Sequence, residues 1–302
     1  MTTTDNFPLT PLRHWYGSLI AARTADPEVR ARMKLALKTV EEQATQDLAD
    51  SSKDTPKMDL EALARSQVSN IQSDAQKIAL IIELRASNPF HPHVIKFTDE
   101  VAMLSFYAIA EKCSLSLTMN DLNELNKFWR ETNNGFAPKN PWLWPRRIAG
   151  GAILAVMAAL VIGTAGAAAP AVTGLLAALG GGTVAAGGFG MVGGVMLLVL
   201  GGTTSGLLMS AQGRLLAQLG PDGLRAELIK LEVTQRLWWR KGMADVPNRA
   251  AVIKQQQQLQ KTIKGFLDKE QKISDPKSEP VESWKKMHDL VTKSIERFNI
   301  LP

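Results

Sequence analysis

The sequence has very little cysteine and, over one long stretch, no charge at all. Its 302 residues include a single cysteine, Cys113, which excludes an internal disulfide and fits a reducing compartment. Residues 148–213 contain no Asp, Glu, Lys, Arg or His, although charged residues make up 21% of the chain. A helix in water needs a polar face, and this stretch offers only a few Thr, two Ser and one Gln. Because about 20 apolar residues cross a bilayer once, we predict that this stretch lies in a membrane.

Motifs of catalysis and phosphate binding are also missing from the sequence. There is no HExxH, nucleophile elbow, kinase motif or P-loop. Residues 188–193 have the spacing GxGxxG, but a dinucleotide site needs an acidic residue about 20 positions later, and position 213 is glycine. His91 and His93 flank Pro92 with the spacing of two metal ligands, and two ligands do not make a zinc site. We therefore predict no enzyme activity, no cofactor and no bound metal.

The uncharged stretch is long enough for three crossings, but its flanks favour two. Arg146 and Arg147 precede it, and Arg214 follows it directly. Segments rich in Lys and Arg stay on the cytoplasmic side, so two basic flanks on one side require an even number of crossings. We predict a first helix over 148–169, a turn rich in Pro and Gly over 170–189, and a second helix over 190–212. A third crossing is the alternative.

Small residues recur at every fourth position in both predicted membrane helices. Residues four apart share a helix face, and small residues there let two helix backbones approach closely in lipid. The strips either face each other within one hairpin, which we favour, or also join subunits into an oligomer. The positions are Gly151, Ala155, Ala159 and Gly163 in the first helix, and Gly182, Ala186, Gly190, Gly194, Gly202 and Gly206 leading into and through the second.

The hydrophobicity of the first predicted membrane helix is low. Its seven Leu, Ile and Val residues favour insertion by about 2–4 kcal/mol before Gly and Thr subtract from that sum. A permanent membrane anchor usually carries more leucine. We therefore expect that the segment is held inside a soluble helical bundle in one state and inserts on a trigger.

Charge is distributed unevenly around the uncharged stretch. Residues 1–147 hold equal numbers of basic and acidic side chains, so residues 214–302 carry the whole formal net charge of +6. A basic region beside a membrane segment predicts anionic lipid headgroups, rather than nucleic acid, as its partner. Residues 1–8 show no basic or apolar leader pattern, so we expect synthesis in the cytoplasm, both termini cytoplasmic, and an inner-membrane location.

The flanking sequences have helical periodicity, and neither shows the alternation of a strand. We predict helices over 12–22, 27–48, 60–86, from the N-cap Thr98, from the capping box of Thr118 and Asp121 as far as residues 133–135, and over 221–241, 247–272 and 283–298. The fold class is therefore all-α. Its predicted parts are a helical N-terminal domain (1–140), an interfacial flank rich in Trp, Pro and Arg (141–147), a glycine-zipper transmembrane hairpin (148–213) and a basic helical region (214–302).

The helix predicted after the uncharged stretch is amphipathic. It either lies in the membrane interface or buries its leucine stripe in an ordinary bundle, and the sequence favours neither. Tryptophans near the stretch predict aromatic belts at headgroup level. The apolar face holds Leu224, Leu228, Leu231, Gln235 and Trp238, the basic residues are Arg225, Lys230, Arg236 and Arg240, and the belt residues are Trp142, Trp144, Trp238 and Trp239.

A charge-free hairpin enclosed by amphipathic helices resembles the hydrophobic hairpins of α-helical pore-forming proteins such as the colicin pore domains. The resemblance covers 148–213, where this segment is longer and richer in glycine. It implies a membrane-disrupting or pore-forming effector, similar to a toxin, that oligomerises through its small-residue faces. The alternative is a stably inserted membrane adaptor whose helical domains bind a protein partner, and a third interpretation is a soluble bundle with a glycine-rich core.

Overall fold

The computed structural model describes residues 9–49, 59–69, 74–91, 93–136, 206–243, 246 and 248–301. Within these residues every regular element is an α-helix, so the predicted all-α class is confirmed. The helices are α1 (Leu9–Arg23), α2 (Pro27–Ala49), α3 (Leu60–Ser69), α4 (Asp74–Ala86), α5 (Asp99–Lys112), α6 (Met119–Phe136), α7 (Gly206–Arg240), α8 (Arg249–Glu270) and α9 (Glu279–Ile300).

Helix α1 is the centre of the N-terminal half, where it packs against α2, α3 and α5. Its aromatic side chains Trp15 and Tyr16 are fully buried. The ring of Tyr16 stacks on that of Phe106 from α5, with 4.5 Å between ring centroids. Buried aromatic pairs of this kind add to the stability gained from apolar burial alone, so they fix α1 against α5.

The helix starts predicted from capping residues are confirmed. The Thr98 hydroxyl accepts a hydrogen bond from the Val101 amide at 3.2 Å and begins α5. At the start of α6, the Asp121 amide donates to the Thr118 hydroxyl at 3.2 Å, and the Asp121 carboxylate accepts from the Thr118 amide at 2.9 Å. This reciprocal pair is a capping box, in which two otherwise unpaired backbone donors of the first turn are satisfied.

Several predicted helix boundaries differ from the structure. The range predicted as one helix, 60–86, contains two helices, α3 and α4, on either side of residues 70–73, which lie outside the described residues. Helix α6 does not end at Asn133 but continues to Phe136, so Gly135 is a helical residue. Helix α9 begins at Glu279, with Pro280 in its first turn. The backbone N–H that proline lacks would have no hydrogen-bond partner within the helix at this position.

Helix α7 is long and has a kink at Gly220. Gly220 has a positive φ of 65°, a conformation that glycine adopts without steric cost, and Pro221 follows it. The helix start predicted at residue 221 is therefore confirmed for the second part of α7, and a first part precedes it from Gly206. Of the predicted hairpin, residues 148–205 lie outside the described residues, and 206–213 form the first turns of α7. No described helix is both long enough and apolar enough to cross a membrane.

The second part of α7 joins the two halves of the chain. It packs against α4 and α6 on one side and against α9 on another, and α9 in turn packs against α8. One continuous hydrophobic core contains buried side chains from both halves, including Trp129 and Leu237. The predicted N-terminal domain and C-terminal region thus share a core. We call this assembly of the described helices the helical body.

Candidate functional site

Helices α6 and α7 face each other across a row of ion pairs. The Asp121 carboxylate pairs with the Lys241 ammonium at 2.9 Å, and the Glu131 carboxylate pairs with the Arg236 guanidinium at 2.6 Å. Between them Glu124 pairs with Arg240. The numbering rises along α6 as it falls along α7, so the two helices are antiparallel.

At the Phe136 end of this row lies a buried carboxylate, Glu232, whose side chain has no solvent exposure. Arg297 from α9 donates to both of its oxygens, from Nε at 2.7 Å and from Nη2 at 2.6 Å. The Thr132 hydroxyl from α6 donates to the same carboxylate at 2.9 Å, and Arg236 Nη1 lies 3.7 Å from it. A buried charge needs such partners because its transfer out of water is costly. We call Thr132, Glu232, Arg236 and Arg297 the Glu232 network.

Gly135 lets the Arg297 side chain approach α6 closely. A β-carbon built at Gly135 would lie 1.9 Å from Nη1 of Arg297, which is shorter than any real contact of this kind. The same guanidinium lies 5.5 Å from the centroid of the Phe136 ring, within reach of a cation–π interaction. The end of α6 therefore accommodates the Arg297 guanidinium, because Gly135 has no side chain and the Phe136 ring lies beside it.

Electrostatics hold the groups of this interface in their charged forms. Hydrogen bonding to Glu232 raises the pKa of Arg297 further above its ordinary value, against the opposing effect of burial. Burial alone would raise the pKa of Asp121, but hydrogen bonds from Thr118 and the ion pair with Lys241 outweigh it and lower that pKa. Asp121 and Arg297, at opposite ends of the α6–α7 interface, are thus charged near neutral pH.

A second buried ion pair lies on α7 itself. The Lys230 ammonium and the Glu227 carboxylate are 2.6 Å apart, with side-chain exposures of 0% and 6%. Lysine is almost never fully buried without a partner, so the pair explains how Lys230 is tolerated inside the helical body. Lys230, predicted to belong to the basic residues of an amphipathic helix, is therefore interior.

The antiparallel pairing of α6 and α7 relates the end of α6 to the start of the second part of α7. The end of α6 at Phe136 lies beside the Glu232 network, on the side from which the second part of α7 starts at Pro221. The sequence between these two points contains all of 148–213. Phe136, before this sequence, and Pro221, after it, therefore lie toward the same side of the Glu232 network.

The predicted interface residues of α7 are engaged within the helical body. The Trp238 side chain is only 2% exposed, and its indole nitrogen donates to the Ala75 carbonyl oxygen at 3.1 Å. Trp239 contacts the Phe298 ring edge-on, with 5.9 Å between centroids. Arg236 and Arg240 pair with carboxylates of α6. Of the two interpretations of this helix, the structure has the bundle helix, because its apolar face is covered by protein.

The other predicted membrane residues fall where little or nothing is described. The interfacial residues Trp142, Trp144, Arg146 and Arg147 and the strip residues Gly151, Ala155, Ala159, Gly163, Gly182, Ala186, Gly190, Gly194 and Gly202 lie outside the described residues. Gly206 begins α7, and Arg214 lies within its first part. The packing role of these residues stays a prediction.

The histidines and the cysteine form no metal-binding cluster in the part of the chain that the structure describes. His93 lies in the turn after α4 and is exposed. Cys113 follows the last turn of α5, packed against the core, where burial raises the pKa of its thiol. A raised pKa keeps the thiol protonated and unreactive.

Sequence reasoning missed the Glu232 network. A signal was present, because Glu227, Lys230 and Glu232 interrupt an apolar run that has leucine, isoleucine and valine on every side. Charges inside such a run indicate either an exposed face or buried pairs. Only the three-dimensional arrangement, which brings Thr132 and Arg297 to Glu232, distinguishes these cases.

Comparison with protein family models, curated proteins and solved structures finds no match for this chain. The function must therefore be argued from the residues themselves. What the Glu232 network can do chemically is to join α6, α7 and α9 at one buried carboxylate.

Proposed function

We propose that the protein inserts residues 148–213 into a membrane as a helical hairpin that is held at both ends by the helical body. The observation that supports this most directly is that α6, before the uncharged segment, and the second part of α7, after it, pack in one helical body. Because α6 and the second part of α7 belong to one body, an even number of crossings keeps both flanks on one side of the membrane, whereas an odd number would separate them. Two crossings leave both flanks on the side where Arg146, Arg147 and Arg214 belong.

Within the bilayer, the small-residue strips are the surfaces through which the hairpin associates. Lipid supplies no hydrophobic drive for helix association, so close backbone packing across faces such as Gly190–Gly194–Gly202 takes its place. The low leucine content of the first helix makes insertion dependent on conditions. The function we infer is therefore membrane disruption by an oligomer of such hairpins, as in a pore-forming effector.

Dye release from liposomes of anionic lipid tests this function. The wild-type protein should release an entrapped dye, and Gly194→Leu or Gly202→Leu should suppress release by preventing close helix packing. Gly193→Leu adds the same bulk about 100° of helical rotation away from Gly194, outside the strip, and should leave release largely intact. Intact vesicles with the wild-type protein, or equal release from all four proteins, would overturn the proposal.

A membrane adaptor is the second candidate, and the closed helical body favours it. Arg236 and Arg240 of α7, and Lys241 directly after it, are already paired with α6 carboxylates, so this flank needs no lipid contact to be stable. An adaptor would resist extraction by alkaline carbonate and release no dye. A pore former of the proposed kind would release dye in the same vesicles, so one preparation separates the two functions.

A further inference from the structure

Helix α8 carries an unbalanced set of positive charges. Between residues 246 and 267 the sequence has four basic residues and no Asp or Glu. Three of them, Lys254, Lys261 and Lys264, are solvent-exposed, as is Gln257. Their spacings of three, four and seven residues place all four side chains on one face of the helix. We call these four residues the lysine stripe.

The lysine stripe points away from the rest of the helical body. The opposite face of α8 buries Val252, Leu259 and Ile263 in the core. Helix α9 covers this face, with the Phe266 ring stacked on the Trp284 ring at 5.1 Å between centroids. The stripe is therefore available to a partner while α8 keeps its packing.

The lysine stripe differs from the basic residues of the α6–α7 interface in its ion pairing. Among the described residues, no carboxylate pairs with Lys254, Lys261 or Lys264. In the α6–α7 interface, by contrast, the cations Arg236, Arg240 and Lys241 are all paired.

We propose that the lysine stripe is a docking surface for an anionic lipid bilayer. This inference rests on the proposed membrane function and names the part of the basic C-terminal region that meets lipid headgroups. A flat, fluid array of negative charge suits lysine, a flexible point charge that needs no fixed partner geometry. The stripe has no aromatic side chain on which a nucleic-acid base could stack and no arginine fork for a phosphate, which favours lipid over single-stranded nucleic acid.

The strength of this contact can be anticipated. Near an anionic surface each lysine raises the affinity about fivefold, so loss of three lowers it roughly a hundredfold. Because exposed charges are screened, the contribution should fall steeply as salt rises above physiological ionic strength.

The test uses the full chain kept soluble in a non-ionic amphipol, which covers apolar surface and blocks insertion. Binding is measured to nanodiscs of phosphatidylcholine with and without phosphatidylserine. The wild type should bind only the discs that contain phosphatidylserine, and the triple variant Lys254→Gln, Lys261→Gln, Lys264→Gln should bind them about a hundredfold more weakly.

The matched control removes three exposed lysines elsewhere, as Lys277→Gln, Lys286→Gln, Lys293→Gln. On α9, Lys286 and Lys293 alternate with Asp289 and Glu296, so their loss should weaken binding much less. If both triple variants lost the same affinity for the discs, net charge alone would explain the binding and the lysine stripe would not be the docking surface. Stripe-dependent binding to duplex DNA at the same strength as to the discs would overturn the lipid assignment.

Failure of this inference can be distinguished from failure of the proposed function. Dye release at saturating protein reports on the hairpin, and the stripe variant should still release dye there. If the stripe is required for disc binding but no protein releases dye, the docking surface stands and the pore-forming function falls. If dye is released but the stripe variant binds the discs as tightly as the wild type, the pore-forming function stands and the docking surface falls.

Discussion

Arg297 binds both carboxylate oxygens of Glu232, at 2.7 Å and 2.6 Å, and so ties the last helix of the chain to α7. The carboxylate has no solvent exposure, whereas the Arg297 side chain is 21% exposed. Thr132 adds α6 to the same carboxylate. Helices α6, α7 and α9 therefore meet at one buried charge.

Removing Arg297 should strongly destabilise the helical body. Arg297→Ala leaves the Glu232 carboxylate buried with too few partners, and breaking a buried pair in this way costs about 3–5 kcal/mol. Urea unfolding in a mild detergent, followed by tryptophan fluorescence, measures the change in unfolding free energy. Arg130→Ala is the control, since Arg130 is 65% exposed in its pair with Asp99 and such pairs contribute at most about 1 kcal/mol. If the two substitutions lowered the unfolding free energy equally, the stability of the helical body would not depend on the buried pair of Arg297 and Glu232.

Gly135→Ala should disturb the same network without changing any charge. The new β-carbon would lie 1.9 Å from Arg297 Nη1, so the guanidinium has to leave its place beside Glu232. Alanine normally stabilises a helix by about 1 kcal/mol relative to glycine. We therefore expect destabilisation from Gly135→Ala but stabilisation from Gly265→Ala, where an added β-carbon meets nothing within 4 Å.

A double substitution tests whether Arg297 is the cause. In the Arg297→Ala background the clash is gone, so Gly135→Ala should become neutral or stabilising. Urea midpoints of the four proteins of this cycle give the coupling energy. Additive effects of the two substitutions would contradict the close approach of Arg297 to Gly135.

Local sequence signals predicted helices well where short-range chemistry decides them. Thr98 and the Thr118–Asp121 pair cap helices because their hydroxyl and carboxylate oxygens reach backbone amides three residues away. Gly220 followed by Pro221 breaks α7 for equally local reasons. None of these features depends on a distant part of the chain.

Long-range pairing could not be predicted in the same way. Lys230 and Trp238 have the spacing of an amphipathic interface helix, yet both are interior because α4, α6 and α9 surround α7. The partner of Glu232 is 65 residues further along the chain, and that of Trp238 is 163 residues earlier. A periodicity shows that a face is apolar, but it does not tell whether lipid or protein covers that face.

The Asp121 carboxylate should make stability depend on pH in the acid range. Its pKa in the folded protein is lower than the ordinary value of 3.8. The contribution is therefore present above that value and is lost as the pH falls through the lowered pKa. Asp121→Asn should destabilise the protein at neutral pH and converge with the wild type in strong acid. Asp268→Asn, at an exposed position of α8, should show no such convergence because it costs little at any pH.

His14 should contribute a pH dependence of the opposite chemical origin. Burial lowers its pKa below the ordinary value of 6.5, although Glu41, Glu61 and Asp59 act to raise it. The unfolded chain then binds a proton more readily than the folded protein, so stability decreases as the pH falls below 6.5. Comparison of unfolding midpoints for the wild type and His14→Gln across this range should show a shallower slope in the variant. An unchanged slope would mean that His14 is not buried as described.

The most direct test of the account asks whether lipid surrounds the uncharged segment. In a Cys113→Ser background, an environment-sensitive dye is attached to single cysteines at Val161 or Met196, each on the helix face opposite its small-residue strip. On addition of anionic vesicles we predict a blue shift of the dye and quenching by brominated lipids but not by aqueous iodide. If the vesicles cause no blue shift of the dye and brominated lipids do not quench it, the central claim is contradicted.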